Sequence, residues 1–132
     1  MPPIKTRFLG VLLYKYDCQG SLQWGFNFYY SQHSKREIDP FTETDAGGAF
    51  PSGDAFIVYP GKNGMPLSSL RQKVFYDGFQ DISALKALEN KYSREYALGF
   101  IKEELGDINF TDYPLDPEKL LTFREKLNNL LG

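Results

Sequence analysis

Between Ser31 and Ala55 the chain shows neither a helical nor a strand period, and it holds Pro40, Gly47, Gly48, Pro51 and Gly53. Breakers at that density deny regular structure. A structureless stretch of this length is uncommon in a compact domain and is usually functional or disordered. Disorder is the poorer reading, because aromatic residues make up 16% of the chain and disordered segments are poor in them. Phe41 and Phe50 lie within the stretch itself and argue that it packs on something. The expectation is an ordered, site-forming loop.

Periodicity returns on both sides of it. Phe8, Val11, Leu12 and Tyr16 recur at helical spacing over Thr6 to Tyr16, with Ile4 one turn earlier and Gly20 as the expected stop. Leu22, Trp24, Phe26 and Phe28 then alternate with Gln23, Gly25, Asn27 and Tyr29, the period of a strand. Beyond the loop, Phe56-Ile57-Val58-Tyr59 is a short apolar run ended by Pro60-Gly61 and followed by the turn signal Asn63-Gly64. Ser69-Leu70-Arg71-Gln72 reads as a capping box opening a helix whose apolar face is Leu70, Val74, Phe75, Phe79, Ile82, Leu85 and Leu88. A further helix is expected from Ser93 to Leu105, stopping at Gly106, and a last one from Asp116-Pro117 through Leu120, Phe123, Leu127 and Leu130. Two buried strands joined by a long crossover are most simply parallel neighbours, which puts the chain in the α/β class. Two strands alone make a poor sheet.

At 132 residues the length suits one domain with a substantial core. Lys plus Arg is 15 against 17 Asp plus Glu, so no basic excess exists to collect a phosphate backbone, and nucleic acid is not an expected partner. The longest apolar run, Phe8 to Leu13, is too short to span a bilayer, so no membrane partner is expected. Met1-Pro2-Pro3-Ile4-Lys5 lacks the regions of a signal peptide, and a soluble, cytoplasmic protein is the expectation unless an N-terminal part has been lost. Cys18 stands alone and is read as structural, and His33 sits in a polar run as a surface residue. Neither has the companions of a metal site, so no metal or cofactor is expected.

Three stretches together resemble the C-terminal part of the glycoside hydrolase family 123 catalytic domain, long catalogued as a domain of unknown function. They are Arg7-Phe8-Leu9-Gly10 leading into Gly20-Ser21-Leu22-Gln23-Trp24-Gly25-Phe26-Asn27; Asp45 through Asp54 followed by Val58-Tyr59-Pro60-Gly61; and Ser69-Leu70-Arg71 with Phe75 through Asp81. Each is weak alone; their order and spacing are specific. The family-like segment is 7–88, and 89–132 is family-neutral.

The resemblance implies a (β/α)₈ TIM-barrel glycosidase acting on N-acetylhexosamine-containing glycans. Such barrels need roughly 250 residues, so the chain would supply about two strands, a long active-site loop and four helices of an incomplete barrel. It also implies substrate-assisted chemistry, in which the substrate acetamido group attacks the anomeric carbon, one carboxylate orients it and a second acid protonates the leaving oxygen, one of the exceptions to the two-carboxylate rule. In the family that pair is an adjacent Asp-Glu upstream of everything present here. The only adjacent acids in this chain, Glu103-Glu104, lie on an expected helix and read as a solvated face. No catalytic residue is therefore assigned, and the chain alone is expected to be inactive.

The residues expected to face sugar are Trp24, Asn27, Tyr29, Asp45, Asp54 and Tyr59. An indole at a strand end stacks on a sugar ring and leaves its N–H for a hydroxyl; the competing reading is a core aromatic. Asn27 and Tyr29 have the opposite parity from Trp24 and need a strand end or bulge near Phe26 to join it. Asp45 and Asp54 bracket the glycine-rich segment, where carboxylates grip paired hydroxyls or stabilise Asx turns. Gly47-Gly48 lacks the lysine and helix of a phosphate-cradling loop. Tyr59 is either a ligand-facing phenol or a packed anchor, and Arg71 and Asp81 are too far apart to pair and anchor neighbouring segments. Two other partners are expected besides the glycan: the missing N-terminal barrel portion, or a second copy through an exposed sheet edge. The alternatives are a non-catalytic carbohydrate-binding or accessory module and a non-functional product of a truncated gene.

Overall fold

The computed structural model describes residues 3–132. It is a mixed α/β structure with four helices and a two-stranded antiparallel sheet among the described residues. The helices are α1 (Pro3–Lys15), α2 (Leu70–Lys91), α3 (Arg94–Leu105) and α4 (Pro117–Leu131); the strands are β1 (Val58–Pro60) and β2 (Pro66–Ser68). None of the helices is long and apolar enough to cross a membrane. The chain divides into two compact units, one of residues Leu22–Lys73 and one of residues 3–21 with Val74–Gly132.

The helical unit is built as its periodicity dictates. Phe8, Val11 and Leu12 of α1, Leu85 and Leu88 of α2, Ala97 and Ile101 of α3, and Leu120, Phe123 and Leu127 of α4 form one buried cluster. Phe100 stacks on Phe123 with ring centroids 5.0 Å apart. The caps fall where the sequence puts them: the Ser93 hydroxyl accepts from the Tyr96 N–H, Asp116 accepts from the Glu118 N–H with Pro117 in the first turn, and Gly106 closes α3 at φ 81°. Gly20 does not stop α1. Asp17 takes the left-handed position instead (φ 52°), with Cys18 N–H donating to Leu13 C=O and Asp17 N–H to Tyr14 C=O, the bonding of a Schellman motif. An Asp side chain tolerates that conformation, so the helix ends earlier than glycine spacing implies. Tyr16, beyond the end, is exposed.

Two glycines set the α1–α2 approach. A Cβ on Gly10 would run into the Gly78 carbonyl, and one on Gly78 would stand 3.2 Å from the Arg7 carbonyl oxygen. Asp81, fully buried, accepts from Arg7 of α1 at 3.0 Å and from Arg124 of α4 at 2.6 Å. Asp81 is thus an anchor, as expected, but the apolar face assigned to α2 is corrected. Leu70 and Phe79 are exposed, and the buried set is Gly78, Asp81, Ala84, Leu85 and Leu88. Close backbone approach at Gly78 and a buried ion pair at Asp81 replace a continuous aliphatic stripe.

The other unit corrects the expected strands. The segment around Trp24 forms no named strand; Leu22, Trp24 and Phe26 are exposed, and only Asn27 makes a bridge, antiparallel, with Phe56. The two segments therefore meet antiparallel and not as parallel neighbours. The reason lies in the loop. A parallel pair needs a crossover that carries the chain back to its starting end. Here Tyr30 bridges Glu37 antiparallel, and His33, Ser34, Ala46, Gly47, Gly48 and Gly53 all have positive φ, so the chain reverses locally several times. β1 pairs instead with β2, Val58 opposite Ser68, through a turn in which Asn63 (φ 57°) and Gly64 (φ 75°) are both left-handed.

Candidate functional site

The loop is ordered by specific bonds. Arg36 grips Glu43 through both terminal nitrogens (2.8 and 2.7 Å), Thr44 and Ser52 share a hydroxyl bond of 2.7 Å, and Gly53 N–H donates to Thr44 C=O at 2.7 Å. Asp45 Oδ1 accepts from the N–H groups of Gly47 and Gly48 at 3.2 and 3.0 Å. It therefore shapes its own turn, as an Asx side chain does.

These reversals lay Asp54–Ile57 against Trp24–Phe28. Phe28 N–H donates to Ala55 C=O and Ile57 N–H to Phe26 C=O. At Gly25 the two backbones touch, since a Cβ there would lie 2.7 Å from Ala55 backbone atoms. That contact sets Trp24 beside Asp54: the indole Nε1–H donates to Asp54 Oδ2 at 2.9 Å. Phe50 and Phe28 flank the indole at centroid distances of 4.8 and 5.7 Å, both tilted by 59°. Trp24 is 48% exposed, so it is braced from within the unit and open to solvent. Contrary to expectation, its N–H is not free for a sugar hydroxyl; it orients the ring.

The remaining candidates gather around Phe56, which is fully buried. Tyr29 packs on it and donates its hydroxyl to Val58 C=O at 2.6 Å. Burial, and then Tyr59 nearby, push the Tyr29 phenol above its ordinary pKa. Tyr59 sits edge-on to Phe56 at 5.2 Å and against exposed Phe41 at the same distance. Asn27 is exposed and contributes its backbone to the Phe56 bridge. Trp24 and Asp54 are thus brought into direct contact, Tyr29 and Tyr59 share a ring, and Asp45 keeps to its turn.

Three supports complete the site; Phe50 and Arg71 have the packing and anchoring roles expected of them, and only Gln23 escapes a reading of the sequence. Gln23 Nε2 holds the Asp54 carbonyl at 3.1 Å, Phe50 backs the indole, and Arg71 Nη2 donates to the Phe56 carbonyl at 2.6 Å while its guanidinium covers the Phe56 ring. The Arg71 guanidinium lies where a Gly53 Cβ would be, so Gly53 must stay bare both for its φ of 78° and for this contact. A phenylalanine in a breaker-rich loop is the available signal for Phe50. Nothing in the sequence separates Gln23 from its polar neighbours.

Among the described residues no group of His, Cys, Asp and Glu is arranged to hold a metal. Glu103 is exposed on α3, and Glu104 pairs with Lys126 of α4 at 2.7 Å. Cys18 and His33 are exposed.

The geometry is that of a braced aromatic platform carried by a stiffened loop. Compared with known families, residues 1–88 match the family described as glycoside hydrolase 123, catalytic domain. The chain belongs to that family. Comparison with curated proteins gives no match.

Proposed function

We propose that this chain contributes sugar-binding surface to a glycosidase acting on N-acetylhexosamine-containing glycans, and that it does not by itself carry the catalytic pair. The observation behind this is the Trp24–Asp54 pair inside the family-matched region: a half-exposed indole whose plane is fixed by a carboxylate and two phenylalanines. A fixed ring offers its face to the C–H side of a pyranose without first losing rotamer freedom. The indole takes only Oδ2 of Asp54, and the other carboxylate oxygen would accept from a sugar hydroxyl. The exposed Asn27 and the phenol of Tyr59 are further groups of this unit that would bond sugar hydroxyls, while Tyr29 and Asp45 hold the scaffold.

Chemistry of the substrate-assisted kind needs two acids at one anomeric centre. The only adjacent acids here are Glu103 and Glu104, one solvated and one paired with Lys126. In this proposal the acid pair, and the strands that close a (β/α)₈ barrel, come from a partner portion. The test is turnover: the isolated chain is given aryl N-acetylhexosaminides at high protein concentration. No release of the aryl group above buffer is expected. Robust turnover, retained in a Glu103→Gln, Glu104→Gln double variant, would place the acids elsewhere in this chain and overturn the proposal.

A second reading, a non-catalytic carbohydrate-binding module, rests on the same exposed indole. It differs in needing no partner portion, so adding the upstream part of a family relative in trans restores hydrolysis only under the first.

A further inference from the structure

In the helical unit, Arg7, Asp81 and Arg124 form a cluster whose charges do not cancel. Asp81 is wholly buried, and two guanidinium groups rest on it with side-chain exposures of only 17% and 25%. Both reach the same oxygen: Arg7 Nη2 and Arg124 Nη1 donate to Oδ1, while Arg7 Nε takes Oδ2. One carboxylate thus serves two cations and leaves a net positive charge largely out of water, a state that costs free energy unless a counter-charge is supplied.

The donors are not used up. Arg124 Nε donates to Asn128 Oδ1, yet Arg7 Nη1 and Arg124 Nη2 have no hydrogen-bond partner among the described residues. Both arginines line a cleft of about 360 Å³ completed by Tyr76, Asp77, Gln80 and Asn128. Phenol and amide groups at such a rim add neutral hydrogen bonds to a charged centre. Asp77 is the one acid there; it is exposed, so its charge is screened by water in a way that the buried cluster's is not.

We propose that this cleft is a binding site for a small oxyanion, a carboxylate or phosphate group, held between the outward N–H groups of Arg7 and Arg124. Guanidinium pairs recognise such groups by parallel charge-assisted hydrogen bonds, and a further anion would balance the two cations on Asp81. The site is independent of the sugar platform, so the glycan reading can fail without it.

The test titrates the full chain with inorganic phosphate and, separately, with acetate, at ionic strength fixed with chloride, following amide and arginine side-chain resonances by NMR. Saturable shifts confined to Arg7, Tyr76, Gln80, Arg124 and Asn128 are expected. Saturation by phosphate alone assigns the phosphate class, and saturation by acetate assigns a carboxylate. Arg124→Gln should weaken binding at least about tenfold, the scale of one charge-assisted pair. Asp77→Asn, at the exposed rim and tolerable to the fold, should tighten it several-fold by removing the like charge. Linear, non-saturating shifts with both anions, or binding indifferent to Asp77→Asn and Arg124→Gln alike, would overturn the proposal.

Discussion

The indole N–H of Trp24 meets the carboxylate of Asp54 at 2.9 Å, although thirty residues separate them in the chain. The pair closes the whole breaker-rich loop into one unit, because Asp54 is the point at which that loop rejoins the Trp24 segment. Trp24 is the only tryptophan, so tryptophan fluorescence reports the surroundings of this indole alone. Asp54→Ala should shift the emission to longer wavelength, raise acrylamide quenching and lower stability by about 1 kcal/mol, the value of one partly exposed charge-assisted bond. An unchanged spectrum would mean that the pair is not populated in solution.

Arg71 and Gly53 are coupled by space. Arg71→Ala takes the donor from a buried carbonyl, that of Phe56, and should cost roughly 2 kcal/mol in urea unfolding. Gly53→Ala places a methyl group against the guanidinium at a positive φ and should cost a similar amount. In the double variant the steric part disappears, so its loss should fall short of the sum by at least about 0.5 kcal/mol. Strict additivity would contradict the contact.

The α1–α2 crossing makes an opposite pair of expectations for two helical glycines. Gly10→Ala forces a methyl into the Gly78 backbone and should destabilise by roughly 3 kcal/mol, the upper range for overpacking. Gly99, in α3, has nothing within 4 Å of the place where an added methyl would stand, and should gain about 0.5–1 kcal/mol on the same change. Thermal denaturation of the two variants beside the parent decides this by sign.

Tyr14 gives a pH dependence. Its phenol is buried and donates to Glu89 at 2.7 Å; burial first, then the Glu89 bond and charge, raise its pKa well above the ordinary 10.0. Above pH 10 the unfolded chain releases this proton while the folded one keeps it, so stability falls as pH rises through that range. Tyr14→Phe lacks the Glu89 bond and should be about 1 kcal/mol less stable at pH 8. The gap between the two proteins should narrow between about pH 10 and 11. A gap that stays constant would show that Tyr14 titrates normally.

Where local signals act alone, the sequence is legible. Ser93, Gly106, Asp116 and Pro117 mark helix ends through bonds made within a turn, and the structure has them there. Asp17 displaces Gly20 because a Schellman ending depends on the residue that reaches the left-handed region first. The Trp24 segment misleads because aromatic alternation is the same whether one face is buried in a sheet or left open at a surface. Its antiparallel partner, Asp54–Ile57, is decided by six left-handed residues in the loop, and of these only the glycines announce themselves. The family resemblance points to the region of the proposed site, and both Asp45 and Asp54 stand out in it. Their separation into a turn-former and an indole acceptor depends on long-range contact, which no spacing encodes.

The central claim is a preformed sugar platform without its own acids. Isothermal titration of the full chain with a soluble N-acetylhexosamine oligosaccharide tests it most directly, with Trp24→Ala and Asp54→Asn alongside. The expected result is saturable binding, no reducing ends released, at least about tenfold weaker affinity for Trp24→Ala, and a smaller loss for Asp54→Asn, which keeps an acceptor oxygen for the indole. Equal binding by parent and Trp24→Ala, or no binding by a parent shown to be folded, would contradict it.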